Sequence, residues 1–401
     1  MSERSRALVP PATAVQVLFV LFGVSIASFF PFLALFLSSR GLSPAQIGVV
    51  IAAMALGRVA AGPVWGHVAD VSLGRRTTLQ LGAVGVILAA VALFLVEAYG
   101  GILVLGFAFA VFSTTTGPNL DAITLAHLGD ERMTEYGRIR GWESLSYAVS
   151  CFLIGLTLEE TSPAWAMPIY AASTVAVLAW SFTLRRDRPA HVERHGRLGS
   201  VGAAFREAPK LWQYLVALLV LWTGFNAAWN FIALKIERGG GGPLLVGIGT
   251  AFGGLVEVPV MRLSSRLGRR WGLRRVFVLG CSTYALAFLL WGLIESPRIV
   301  SVLTVFEGLG FGLLFTTGVV VIGRMLPPRL HSTGQSMWMT VALGVAPILG
   351  AGVGGWVFEA MGPITLYVGA TCLALAAAGV AWIALSDPAL SEPQPEAEPV
   401  L

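Results

Sequence analysis

Twelve runs of apolar residues, most of them long enough to cross a bilayer as helices, constrain this chain more tightly than any motif it carries. They fall at about 12–38, 45–66, 77–97, 101–128, 140–158, 163–184, 210–234, 244–265, 275–294, 299–325, 334–357 and 363–385. A hydrocarbon core roughly 30 Å thick takes about 20 helical residues, and only helices or closed barrels satisfy their own backbone inside it. Barrel strands are excluded because they alternate and are far shorter than these runs. Only 12% of the 401 residues are charged, against about 25% in soluble domains. The chain therefore reads as an all-α membrane protein with twelve transmembrane helices. The first run lacks a small-residue cleavage pattern after it and is taken as a retained span rather than a signal peptide.

The charges that remain are sorted by loop. Lys and Arg number 21 in one alternating set of inter-helix segments and 4 in the other. The positive-inside rule then places both termini in the cytoplasm of a cell bounded by this inner or plasma membrane. The basic balance of +5 is a topology signal and not a nucleic-acid footprint, because the charges lie between spans rather than along a groove. The longest polar stretch, 185–209, divides the spans into six and six. The expected organisation is a six-helix bundle over 1–184, a cytoplasmic linker over 185–209, a second bundle over 210–386 and a disordered acidic, Pro-rich tail over 387–401. An echo between the halves supports this division. Gly66-His-Val-Ala-Asp70-Val-Ser-Leu-Gly74-Arg75-Arg76 is answered about 195 residues later by Met261-Arg-Leu-Ser-Ser265-Arg-Leu-Gly268-Arg269-Arg270. Duplicated halves of this kind are the plan of secondary transporters.

The same loop carries a resemblance. Gly66, Asp70, Gly74, Arg75 and Arg76 match the signature Gly-x-x-x-Asp-Arg-x-Gly-Arg-Arg of the major facilitator superfamily, with one extra residue before Gly74 and Val71 in place of the first Arg. Within that superfamily the chain resembles the lactose-permease-like branch that includes phenylpropionate permeases. The likeness rests on Gly41-Leu42-Ser43-Pro44-x-x-Ile47-Gly48, on Asp121 followed by Tyr136-Gly137-Arg138-Ile139-Arg140-x-Trp142, on Glu257-Val-Pro-Val260 and on Gly355-Trp356-Val-Phe358. The branch usually has a Gly where this chain has Glu143. The resemblance implies transport by rocking of two halves about a central cavity, with a conformational latch at Gly66, Asp70, Gly74, Arg75 and Arg76. It also implies that Asp121 and Arg140 occupy the places of sugar-binding residues and that Tyr147 stands where a stacking Trp does.

Ionised side chains inside spans cost roughly 3 kcal/mol on insertion scales, so each is a functional candidate with a bland alternative beside it. Asp121 and Arg140 can pair, either as a solute site with Glu143 or as a structural ion pair. Arg58, in the middle of its span, needs an anion from Asp121, from another acid or from a solute. Glu257 and Glu307 have no basic neighbour in sequence, and apolar surroundings disfavour a carboxylate's charged form. They either carry a coupled proton or are structural acids. Trp222, Asn226, Trp229 and Asn230 share one helix face, and the last three are candidates for binding an amphipathic solute; packing is the alternative.

No phosphate-binding loop, metal-ligand spacing or catalytic motif occurs, so an enzyme, a cofactor and a metal are not expected. The expected function is proton-coupled symport of a small organic solute by a monomer in the lipid bilayer. The rivals are proton-coupled drug or metabolite efflux, weakened by the lack of a Gly-Pro-rich motif between Tyr147 and Glu159, and a non-transporting sensor.

Overall fold

The structure, a computed structural model, describes residues 11–128, 133–184 and 199–392. These are helical almost throughout. The contacts divide the chain into two compact units. The first takes Met1–Leu42, Ala53–Arg194 and Gly242–Ala251; the second takes Ser43–Ala52, His195–Gly241 and Phe252–Leu401.

In the first unit, α1 (Pro11–Phe29) and the short α2 (Leu33–Ser39) form a pair bent by 43°. They are followed by α3 (Pro44–His67), whose residues up to Ala52 belong to the second unit, then by α4 (Arg75–Leu95), α5 (Tyr99–Ser113), α6 (Thr116–Leu128), α7 (Met133–Glu160) and α8 (Ala166–Ser181). α1 lies along α7 and α8, and α4 packs on α5, α6 and α8. α1 can approach α7 closely because Gly23 has no side chain; a Cβ there would sit 2.1 Å from Ser146 Oγ and 2.6 Å from the Glu143 carbonyl. A buried apolar cluster of Val15, Leu18, Phe19, Leu120, Ile123 and Ile139 fixes α6 and α7 against α1.

After its Ser43–Ala52 segment the second unit has α9 (Gly199–Glu207), a short helix inside the stretch expected as linker, then α10 (Leu211–Arg238), α11 (Pro243–Trp271), whose residues up to Ala251 belong to the first unit, α12 (Leu273–Leu293), α13 (Pro297–Val302) and α14 (Thr304–Met325). It closes with α15 (His331–Met339), α16 (Ala346–Ala360), α17 (Gly362–Ala384) and α18 (Pro388–Ser391). α10 packs on α16 and α17, and α12 on α14 and α17. The segment expected to be an unpacked tail thus starts with a helical turn whose Leu390 is buried; its remainder after Glu392 lies outside the described residues, as does the linker over 185–198.

Among the described residues ten helices are long and apolar enough to span a membrane, or eleven with the bent pair counted as one. The difference from the twelve expected runs lies at α7, whose 28 residues would reach across but whose first half carries Glu135, Arg138, Arg140 and Glu143.

The extra residue between Asp70 and Gly74 has a structural outlet, because Val68–Leu73 is a π-helical turn, the geometry that absorbs one inserted residue. Gly74 then adopts φ +79° and starts α4. Its counterpart in the second unit is Gly272, at φ +82° before α12, and not Gly268 as the sequence echo suggests. That corrects the register of the repeat by four residues. A second pair of matching features is carboxylate capping of a helix start. The Leu244 N–H at the start of α11 donates to Glu159 Oε2 (3.0 Å), and the Ala45 N–H at the start of α3 donates to Glu359 Oε2 (2.8 Å). First-turn N–H groups have no partner within their own helix, so acceptors there are stabilising.

Candidate functional site

Two clusters of chemically capable side chains emerge, one in each unit. In the first unit Asp121 projects from α6 and meets two residues of α7, the helix that follows, one of which also holds Glu143. Arg140 Nη1 donates to Asp121 Oδ1 and to Glu143 Oε2, each at 3.2 Å, and the Tyr136 hydroxyl donates to the same Asp121 oxygen at 2.8 Å. Tyr136, Arg140 and Glu143 are brought to one face by steps of four and three residues along α7. Glu143 is the most enclosed member, its side chain 12% accessible against 35% for Asp121 and 47% for Arg140. One guanidinium is therefore shared by two carboxylates, which leaves the cluster with a net negative charge. Tyr147, one turn past Glu143, is half-buried and hydrogen-bonded to Cys151. Tyr136 was quoted in the motif without a role; its position four residues before Arg140 is the signal that could have supplied one.

Arg58 stands apart. Among the described residues it has no ion pair and no hydrogen-bond partner, Asp121 included. Of the protein anions weighed for it from the sequence, none among the described residues reaches it.

In the second unit, Glu257 on α11 and Glu307 in the first turn of α14 are electrostatic neighbours. Glu307 is 4% accessible, and it makes no ion pair or hydrogen bond with a described residue. Their proximity comes from backbone contact between the two helices. A Cβ on Gly308 would lie 2.2 Å from the Gly253 carbonyl oxygen, and one on Gly312 would lie 3.0 Å from that of Glu257. The fully buried Tyr284 of α12 is within electrostatic reach of both acids, and its hydroxyl has no hydrogen-bond partner. Tyr284 also stacks on Phe225 of α10, at 5.2 Å between centroids and 17° between planes. Neither Tyr284 nor the three glycines was singled out from the sequence, because only the packing of α11, α12 and α14 brings them together.

The polar stripe of α10 is partly inward. Trp222 is 2% accessible with its indole N–H unpartnered, and Trp229 stacks on Phe225 at 6.1 Å. Asn226 and Asn230 each turn their amide back on the helix, donating to the carbonyls of Trp222 (2.7 Å) and Asn226 (2.8 Å). Each keeps its side-chain oxygen as an acceptor.

In the loop after α3, Asp70 lies 3.7 Å from Arg75, whose Nη1 donates to the Ala122 carbonyl of α6 at 3.2 Å. Arg76 donates to the Phe182 carbonyl at 3.2 Å and covers its ring. Gly66 has open space where a Cβ would go, so no close contact at this position requires a glycine.

Comparison with known proteins agrees with this architecture. Residues 14–368 match the model of the MFS_1 like family. The maltose permease of Geobacillus stearothermophilus is 27% identical over 358 residues, 86% of this chain and 88% of that protein. An Escherichia coli (strain K12) protein described as a "Probable 3-phenylpropionic acid transporter" is 22% identical over 342 residues, 83% of this chain and 88% of that protein. The crystal structure of the nucleoside transporter NupG superposes with a TM-score of 0.82 at 16% identity, covering 94% of this chain and all of that one, and bears on the fold alone. The resemblance read from the loop motifs is thereby borne out: this chain is an integral membrane transporter of small molecules and belongs to the MFS_1 like family.

Proposed function

We propose that this protein is a proton-coupled symporter that moves a small organic solute across the membrane by alternating access. The observation that carries this reading is the Glu257 and Glu307 pair, two neighbouring carboxyls in spans with no basic partner among the described residues. A carboxylate so placed is neutralised by a proton rather than by the protein, and a group that takes and releases a proton is what coupling requires. Asp121, Arg140 and Glu143 bind the solute with Tyr147 beside them, and Tyr136 orients Asp121 through its hydroxyl. Asn226, Trp229 and Asn230 offer it acceptors and an aromatic face. The Asp70, Arg75 and Arg76 loop, with Gly66 and Gly74, acts as a conformational latch. The protein works as a monomer, with the bundles 1–184 and 210–386 as its moving halves and both termini in the cytoplasm, as the loop charges support.

The relatives' names speak of maltose and 3-phenylpropionic acid. They support a ring-bearing organic solute. Counterflow in proteoliposomes with maltose, 3-phenylpropionate and uridine is expected to detect exchange of at least one, and no exchange of any would refute transport of this class. For the solute that exchanges, Arg140→Lys keeps the charge but loses the planar guanidinium with its several fixed donors, so apparent affinity should fall about tenfold. An unchanged affinity would remove Arg140 from the site.

A further inference from the structure

Arg58 is the charge that the two clusters leave unexplained. It sits near the middle of the thirty-residue apolar stretch Pro44–Leu73, about 20 Å along the axis from either end. An Arg side chain cannot cross that distance to a lipid phosphate. Its face of α3 is turned inward. Met54 and Ala61, four residues before and three after, are buried, and Trp65, a further four on, donates its indole N–H to the Val111 carbonyl of α5 at 2.9 Å. Gly57, next to Arg58, would place a Cβ 2.9 Å from the Phe107 carbonyl, so α3 and α5 run in close contact at this level.

Other arginines of this unit that lie against its helices have partners. Arg140 has Asp121 and Glu143, Arg75 has Asp70 and the Ala122 carbonyl, Arg76 has the Phe182 carbonyl and ring, and Arg40 has the Phe94 carbonyl. Arg58 has neither a carboxylate nor a carbonyl among the described residues, and it remains partly accessible. Burying a charge without a counter-charge is strongly unfavourable. A site that keeps one accessible is complete only when an anion arrives.

We propose that Arg58 is an anion subsite and that the transported solute is an organic carboxylate, whose two oxygens the guanidinium fork receives. The proposal rests on the transport reading and narrows its substrate class. The assignment divides the two arginines. Arg140 is already neutralised by protein carboxylates and contacts the solute's neutral polar groups, whereas Arg58 supplies the charge that selects it.

The test uses the purified full-length protein and three matched acid and amide pairs: benzoate and benzamide, phenylacetate and phenylacetamide, hexanoate and hexanamide. Thermal stabilisation and counterflow are measured for the wild type, Arg58→Gln and Arg58→Lys. At least one acid is expected to stabilise and exchange where its amide does not. Arg58→Gln should weaken its apparent affinity about tenfold or more, the loss expected of a charge-assisted hydrogen bond. Arg58→Lys should retain part of it. Without solute, Arg58→Gln should melt no lower than the wild type, since no anion among the described residues loses its partner. A lower melting temperature without solute would assign Arg58 to a structural pair and overturn the proposal. So would an amide that binds as well as its acid, or an acid whose affinity Arg58→Gln leaves unchanged. A wild type that exchanges an uncharged solute and no carboxylate refutes the anion subsite while leaving the transport reading intact. No exchange of any solute refutes both.

Discussion

Glu307→Gln is expected to abolish uphill accumulation while leaving solute exchange largely intact. The substitution preserves the shape of a side chain that is 4% accessible, so α14 need not repack around it. What it removes is the ability to bind and release a proton. A gradient of one pH unit is worth about 1.4 kcal/mol per proton, which corresponds to a tenfold accumulation ratio for one-to-one coupling. In proteoliposomes with such a gradient imposed, the ratio for the variant should fall to about one. Counterflow, which needs no net proton movement, should change less than about threefold, the difference of a fraction of a kcal/mol. Because Glu257 is the electrostatic neighbour of Glu307, any accumulation left in the single variant would be carried by Glu257. The decisive variant is therefore Glu257→Gln combined with Glu307→Gln. Accumulation that survives both substitutions would end the assignment of the proton to this pair.

The sequence makes the helices and the duplication legible for a simple reason. Apolar length is a local property, so α4, α10, α12 and α17 can be placed from hydropathy alone. The Asp121 and Arg140 pair was equally accessible, since one short connection separates the helices that carry it. What required the fold was whatever depends on contact between distant segments. Arg58 is a mid-span cation in the sequence, but its lack of a partner is a statement about the surfaces around it. Tyr284 looks like one more aromatic of a hydrophobic helix until α11 and α14 set two acids beside it. Asn226 and Asn230 share a face as periodicity demands, yet their amides donate to their own helix. In hydrocarbon an unsatisfied donor is costly, and the carbonyl four residues back is the nearest acceptor. The register of the repeat was misread for a related reason. Sequence similarity aligned Gly74 with Gly268, whereas the backbone need for a left-handed residue before a helix aligns it with Gly272.

Gly308→Ala tests whether the acid pair depends on that contact of backbones. In an unencumbered helix interior, Ala is more favourable than Gly by about 1 kcal/mol, so propensity alone predicts stabilisation. At Gly308 the added Cβ would lie 2.2 Å from the Gly253 oxygen, 2.9 Å from its carbonyl carbon and 3.0 Å from its Cα. All three are backbone atoms of α11 and cannot rotate aside. The two helices must separate, and overpacking of this kind costs roughly 1–3 kcal/mol. The control is Gly369→Ala within α17, where a Cβ meets nothing within 4 Å. In thermal melts of the purified proteins in detergent, Gly308→Ala should unfold at a lower temperature than the wild type and Gly369→Ala at the same temperature or higher. Separation of α11 from α14 also moves Glu307 away from Glu257, which lies one turn beyond Gly253. Uphill accumulation by folded Gly308→Ala should accordingly fall further than its exchange activity. If the two variants melt alike, the approach of α11 and α14 is looser than described, and close backbone packing no longer explains how two carboxyls come to be held side by side.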